Sequence, residues 1–283
     1  MAENKRKAQN ALPQLDRDFV EDLMQTAHKA AWHGGQIILE HALQPRSVRM
    51  KGPRDPVTQT DTAVQHAIIE IIHRRHPDHA ILAEEDPLAR PDSNGGWYIP
   101  EGVVWIVDPV DGTNNYIAGM PQVCVSIGAV VDGIPVAGAI YDPFGREVFL
   151  GASGLGASLN GRPLEHLKPK ALDEAIVGTD WAHDFQSREF TLRVMDKLYP
   201  VIRSVRLLGA GALGLAYTAA GRLNCYCNHG LQPWDSTAGV AIITEVGGVM
   251  RRPDGSAWEV AEPALFTGHP EVVAEILRIV NGK

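Results

Sequence analysis

The sequence predicts a mixed α and β protein in two halves: an N-terminal half with two helices on a mostly antiparallel sheet, and a C-terminal α/β half in which strands and helices alternate. Three observations carry this prediction. Apolar residues recur twice at helical spacing before Pro77. An Asp-Gly pair, Asp132-Gly133, separates two β-branched runs. From Ala175 onward, short apolar runs alternate with helical periods.

The first helix is expected over residues 16 to about 42, where Phe19, Leu23, Ala27, Ala30 and Ala31 share a face and Pro45 lies just beyond. The second follows Thr60 and Asp61: Val64, Ile68, Ile71 and Ile72 fall at i, i+4, i+7 and i+8, and Pro77 stops it. Strands are expected at 80–83 and 103–107. Residues 123–141 hold a single charge, Asp132, and resemble a membrane span in composition alone. Asp-Gly between β-branched runs instead specifies a type I′ turn, which needs positive φ at both central residues, so the segment reads as a buried hairpin. A strand at 147–150 follows. The second half then offers strands at 175–178 and 205–208 and helices at 188–199, 211–220 and 235–246. No internal repeat is visible.

The 283 residues carry 26 Lys plus Arg against 34 Asp plus Glu, a formal charge of −8. That balance argues against general affinity for nucleic acid or an anionic membrane, both of which need a basic surface. Residues 1–13 are polar, with Lys5, Arg6 and Lys7, and no apolar run follows that would make a secretory signal. They are read as part of a flexible tail over residues 1–15. One domain is expected over 16–283, in halves of about 16–155 and 156–283. Cys124, Cys225 and Cys227 are too sparse and odd a set for a disulfide framework, so a reducing, cytoplasmic setting is expected. Cys225-Tyr226-Cys227 reads as reduced strand thiols, since zinc needs four ligands and usually two intervening residues.

The chemistry concentrates in four segments. In Trp105-Ile-Val-Asp108-Pro-Val-Asp111-Gly-Thr113 an apolar strand runs into two carboxylates three residues apart, and Gly112-Thr113 opens a short helix. Carboxylates at a strand end beside a helix start can hold a hard cation while free N–H groups hold a phosphate; the alternative is an Asp-Pro and Asp-Gly turn. A phospho-aspartate mechanism, which uses an Asp-x-Asp-Gly-Thr motif, is excluded by spacing, because its nucleophilic first aspartate would have to stand at Pro109. Glu84-Glu85-Asp86 follows a short apolar strand and, alone, reads as a solvated loop. Asp61 and Asp235 each stand at a helix start, where a helix cap is the simpler reading.

Together, Val57-Thr-x-Thr-Asp61, Glu84-Glu85, Asp108-Pro-x-Asp-Gly-Thr113 and Trp234-Asp235-x-x-Ala-Gly239 resemble the inositol monophosphatase family, within the Mg²⁺-dependent, lithium-sensitive phosphatases that include fructose-1,6-bisphosphatase. The resemblance runs from about Asp16 to the end. It implies a layered αβαβα sandwich, a homodimer, a small phosphorylated metabolite as substrate, and two or three Mg²⁺ ions. It further implies that Glu84, Asp108 and the Val110 carbonyl hold the first metal and that Asp108, Asp111 and Asp235 hold the second. Oxygen ligands of this kind suit Mg²⁺. Asp61 and Thr113 match the pair that orients and deprotonates the attacking water, with Glu84 also counted among the catalytic groups. Phosphate would rest near Gly112 and Thr113, and water would attack in line without a phosphoenzyme.

The substrate pocket implied by the resemblance comprises Gly112, Thr113, Gly209, Ala210 and Asn228. Two positions depart from the family pattern. Asn228 stands where a Glu commonly bonds a ring hydroxyl, and Ala210 stands where a hydroxyl residue is usual. The expected substrate is an inositol monophosphate, with histidinol phosphate, 3′-phosphoadenosine 5′-phosphate and fructose 1,6-bisphosphate as alternatives. A catalytically silent binding protein on the same fold is the rival from another class. Asp180 is either a polar lining residue or part of a surface loop. His73, His76 and His79 read as a solvated helix end rather than a metal site, and Gly209 to Gly214 as close helix packing rather than a nucleotide fingerprint.

Overall fold

The computed structural model describes residues 15–86 and 96–282. The tail expected over residues 1–15 falls outside them except for its last residue.

The chain opens with helix α1 (Arg17–Ala42), whose first turn is capped by the Asp16 carboxylate accepting from the Asp18 and Phe19 N–H groups at 2.9 and 3.1 Å. A small hairpin, β1 (Val48–Gly52) and β2 (Asp55–Thr58), leads into α2 (Gln59–Arg75). Seven strands then form one sheet in chain order: β3 (Ala80–Ala83), β4 (Val103–Asp111), β5 (Cys124–Val131), β6 (Ile134–Asp142), β7 (Glu147–Ala152), β8 (Gly156–Leu159) and β9 (Arg162–Pro163). Only the β3–β4 pair is parallel. The short helix α3 (Thr113–Ala118) sits between β4 and β5.

The second half holds β10 (Ile176–Thr179), α4 (Phe185–Leu198), β11 (Ser204–Leu207), α5 (Gly211–Ala219), β12 (Cys225–His229), α6 (Pro233–Glu245), β13 (Val249–Arg251), β14 (Ala264–Gly268) and α7 (Pro270–Val280). Its five strands run in the order β11-β10-β12-β14-β13, with β10 parallel to β11 and β12 and the other pairs antiparallel.

Strand alternation sorts the core into layers. On β4, Trp105 and Val107 face α1 and α2, whereas Val104 and Ile106 face α5 and α6. On β12, Tyr226 joins the α5 and α6 layer, and Cys225 and Cys227 join the layer beneath α4 and α7. The result is the expected αβαβα sandwich, with α5 and α6 between two sheets. The Asp-Gly hairpin forms as its sequence requires, with φ of 48° at Asp132 and 82° at Gly133. All three cysteines are free and buried. Among the described residues, no helix is long and apolar enough to cross a membrane.

One feature of the sheet fixes where α6 lies. Gly128, Gly138 and Gly151 pair across β5, β6 and β7, making a row with no side chains. A Cβ on Gly138 would overlap the Ala238 carbonyl, one on Gly128 would strike Thr237, and one on Gly151 would strike the Ile242 backbone. Helix α6 therefore rests on sheet backbone, close enough for the Ser126 hydroxyl to donate to the Trp234 carbonyl at 3.1 Å.

The histidine reading needs correction. His73 is exposed, but His76 is buried and stacks on His79 at 4.6 Å between ring centroids, with Trp105 beside both. The Trp105 indole N–H donates to His79 Nδ1 at 3.1 Å, and His76 Nε2 lies 3.1 Å from the Thr26 hydroxyl. Packing on Trp105, invisible from local spacing, goes with the burial of His76 and the half-burial of His79. Burial lowers both pKa values from the ordinary 6.5, the neighbouring His79 adding to the effect on His76. The unfolded chain therefore takes up protons first as pH falls through about 6.5. The contribution of the pair to stability is expected to be full above that value and to decline as pH drops toward the lowered folded values. His79→Gln, which keeps an acceptor for Trp105, should flatten the decline in a thermal-denaturation series from pH 7.5 to 5; an unchanged slope would contradict the account.

Candidate active site

Two aspartates three residues apart on a regular strand would point to opposite faces. Here the register between β4 and β5 shifts: Asp108 pairs with Ser126 and Asp111 with Cys124, so one extra β4 residue is accommodated. This β-bulge reverses the alternation and turns both carboxylates to the inner face, toward α5 and α6. Pro109 at the bulge removes a donor the ladder could not have used. Gly112 then takes φ of 89° and starts α3.

The other acids arrive from three directions. The β3 strand ends beside β4, with the Glu84 N–H donating to the Val107 carbonyl at 3.1 Å, which sets Glu84 next to Asp108. Asp61 and Asp235 are each the third residue of a helix, α2 and α6, and not the N-cap as the simpler reading had it. Each closes a capping box: Asp61 Oδ2 accepts from the Thr58 N–H at 2.9 Å, and Asp235 Oδ2 from the Gln232 N–H at 2.8 Å. The capping geometry leaves their second oxygens free for other partners. Carboxylate oxygens of Asp108, Asp111 and Asp235 lie within 4.8 Å of one another.

Around this cluster the remaining contacts are tight. Thr113 Oγ1 stands 3.0 Å from both Asp61 Oδ1 and the Val110 carbonyl. Asp108 Oδ1 accepts from the Val110 N–H at 3.0 Å. Asp111 reaches across to the start of α5, accepting from Gly211 N–H at 3.0 Å and Ala212 N–H at 2.9 Å, and from the Cys124 thiol at 3.3 Å. A carboxylate at a helix N-terminus is favoured by the helix dipole. Ala210, the N-cap of α5, supplies no side-chain bond; Asp111 caps this helix instead.

Burial and mutual repulsion push these acids up. Asp108 and Asp235 lie well above the usual carboxylate range, first through burial and then through neighbouring acids: Glu84, Asp111 and Asp235 around Asp108, and Asp111 and Glu84 around Asp235. Burial and the charge of Asp180 bring Asp111 to about 6; burial and Glu84 bring Glu85 to about 7. Crowded oxygen donors that resist ionising alone are the donor set a hard divalent cation satisfies, since its charge removes the repulsion. The residues present therefore fit a metal of the Mg²⁺ type.

Some features were not legible from spacing. Lys51, on β1, donates to Glu84 and Glu85 at 2.7 and 2.6 Å, so the acidic run is not simply solvated. Burial alone would lower the Lys51 pKa, but the two carboxylates outweigh it and raise it. Asp180 is buried, not on a surface loop. Asn228 is buried too, its Nδ2 donating to the Tyr226 hydroxyl at 3.1 Å. Gly209 is exposed at the turn before α5, with φ of 70°. Gly214 is where Tyr226 approaches α5, which bears out close packing as the reason for the glycine-rich segment.

Residues 20–281 match the inositol monophosphatase family. Inositol monophosphatase 1 of Solanum lycopersicum is 35% identical over 89% of this chain and 92% of its own. The protein named Nus factor SuhB of Escherichia coli is 32% identical, covering 90% of this chain and 94% of that one. An inositol monophosphatase structure from Anabaena superimposes with a TM-score of 0.79 at 30% identity, covering 93% and 96% of the two chains. Fold and matches together define a phosphoric monoester hydrolase. The chain belongs to the inositol monophosphatase family, whose members are metal-dependent.

Proposed function

We propose that the protein hydrolyses an inositol monophosphate with Mg²⁺ held by Glu84, Asp108, the Val110 carbonyl, Asp111 and Asp235. The observation that carries this reading is the convergence of the Asp108, Asp111 and Asp235 carboxylates beside the Thr113–Asp61 pair. When bound, the metal would supply positive charge to the phosphoryl oxygens and the departing alkoxide. The chain's own residues do the rest. Thr113 Oγ1 accepts from the attacking water as its own proton passes toward Asp61 Oδ1. Burial raises the Asp61 pKa, making it a better base, while the Thr58 bonds keep its other oxygen fixed. Gly112, at φ of 89°, turns the chain so that the first amides of α3 would receive the phosphate; a Cβ there would crowd the Gln122 carbonyl at 2.7 Å.

On this reading the protein works as a cytoplasmic homodimer on a small phosphorylated metabolite, is inhibited by Li⁺, and needs no nucleic-acid partner. The test is phosphate release from inositol 1-phosphate, histidinol phosphate, 3′-phosphoadenosine 5′-phosphate and fructose 1,6-bisphosphate, each with and without Mg²⁺ and Li⁺. Highest kcat/KM on inositol 1-phosphate, lost without Mg²⁺, is expected. Preference for another ester would overturn the substrate assignment, and silence of folded, metal-loaded protein on all four would favour a binding role.

A further inference from the structure

Asp180 follows the last residue of β10, Thr179, on the sheet opposite the acid cluster, and both oxygens of its buried carboxylate are engaged by neighbouring donors. One oxygen accepts from the Leu208 N–H at 2.8 Å and the Gly209 N–H at 2.5 Å; the other accepts from the Tyr226 hydroxyl at 2.6 Å. Tyr226 in turn accepts from Asn228 Nδ2. The turn that Asp180 grips is held from its far side as well: Asn115 on α3 donates through Nδ2 to the Leu208 carbonyl at 2.7 Å and the Gln122 carbonyl at 2.8 Å. Immediately downstream, Asp111 holds the first amides of α5. The segment 208–212 is thus a piece of backbone suspended between residues of both sheets.

Each end of that suspension has a different neighbour. Asp111 belongs to the Asp-Pro-x-Asp-Gly-Thr stretch, and Asn115 stands two residues beyond it on α3. Asp180, Tyr226 and Asn228 are buried on the other side, next to the exposed Gly209. A carboxylate accepting three hydrogen bonds in a buried place is costly to remove, because each donor loses its partner where water does not replace it. Left-handed backbone at Gly209 leaves the turn little intrinsic preference for one shape. Its shape therefore comes from what holds it.

We infer that Asp180 is a positioning residue for substrate selection: it sets the Leu208–Gly209 turn directly, and Asn228 through the buried Tyr226 hydroxyl, on the side of the alcohol part of the ester, without touching the phosphate. This rests on the phosphatase reading but not on which ester is preferred. It also gives the pocket a charged anchor on the side where residue 228 is a neutral amide.

The test compares wild type, Asp180→Ala and Asp180→Asn on whichever of the four esters wild type turns over with the highest kcat/KM, with inorganic phosphate as a competitive inhibitor. Asp180→Ala is expected to raise KM for that ester about ten-fold, with the phosphate inhibition constant within about two-fold of wild type. Asp180→Asn keeps an oxygen for the Leu208 and Gly209 N–H groups and should bring KM back to within about three-fold. An unchanged KM in Asp180→Ala would overturn the inference. So would parallel losses in ester and phosphate affinity, or failure of Asn to restore KM while the thermal midpoint stays at the wild-type value. Wild-type inactivity on all esters would sink the phosphatase reading instead, a result that the KM comparison cannot produce.

Discussion

Asp108→Asn is expected to abolish Mg²⁺ binding and to lower phosphate release by at least about a thousand-fold, the scale on which charge stabilisation is lost when a central group is removed. Asn keeps the shape and keeps an oxygen for the Val110 N–H now bonded at 3.0 Å. What changes is the face turned to Glu84, Asp111 and Asp235, where an NH₂ donor can replace an acceptor and one negative charge disappears. The same change relieves repulsion, since those three acids help hold the Asp108 carboxyl up. Metal-free Asp108→Asn should therefore melt at or above the wild-type temperature, while the upward shift expected of wild type with Mg²⁺ should vanish. Near-normal turnover, or a preserved Mg²⁺ shift, would contradict the assignment of Asp108 as a metal ligand.

Thr113→Ala separates metal binding from water activation. The hydroxyl lies between Asp61 Oδ1 and the Val110 carbonyl, so its loss breaks the proton path but removes no carboxylate. Turnover is expected to fall about a hundred-fold or more, within the usual range for general acid–base catalysis. Mg²⁺ titration by calorimetry should give an affinity close to wild type. Unchanged turnover would remove Thr113 from the mechanism, and lost Mg²⁺ affinity would recast it as a support for the Val110 carbonyl. Thr113→Ser, which keeps the hydroxyl, should recover most of the rate.

The sequence made much of this readable, for identifiable reasons. Helical periods and the Asp132-Gly133 turn are local signals, and their elements formed where expected. The acids of the candidate site could be singled out because they fall in short motifs. Their common orientation could not, because it depends on the bulge at Pro109 and Val110, which appears only when β4 is set beside β5. Lys51 sits on a short, largely exposed strand with no apolar alternation, so nothing local marked it. Asp180 is a lone acid whose partners stand 28 to 46 residues away in sequence. The same holds for the stacked histidines, whose burial depends on a tryptophan from another strand. The small strands β8, β9 and β13 are too short to show a period. Helix α7 has an apolar face in Val272, Val273, Ile276 and Leu277, but it lies beyond the alternating pattern used to read this half.

The glycine row beneath α6 bears on how such a centre tolerates genetic drift. Asp108 rides on the sheet and Asp235 on the helix, so their separation follows the depth at which the helix sits. Most helix–sheet gaps are filled by side chains, and substitution there changes the gap. Here Gly138 and Gly151 meet helix backbone and Gly128 meets Thr237, so no side chain of the sheet enters the gap at this row. A Cβ on any of the three glycines would lift the helix, and Asp235 with it, away from Asp108.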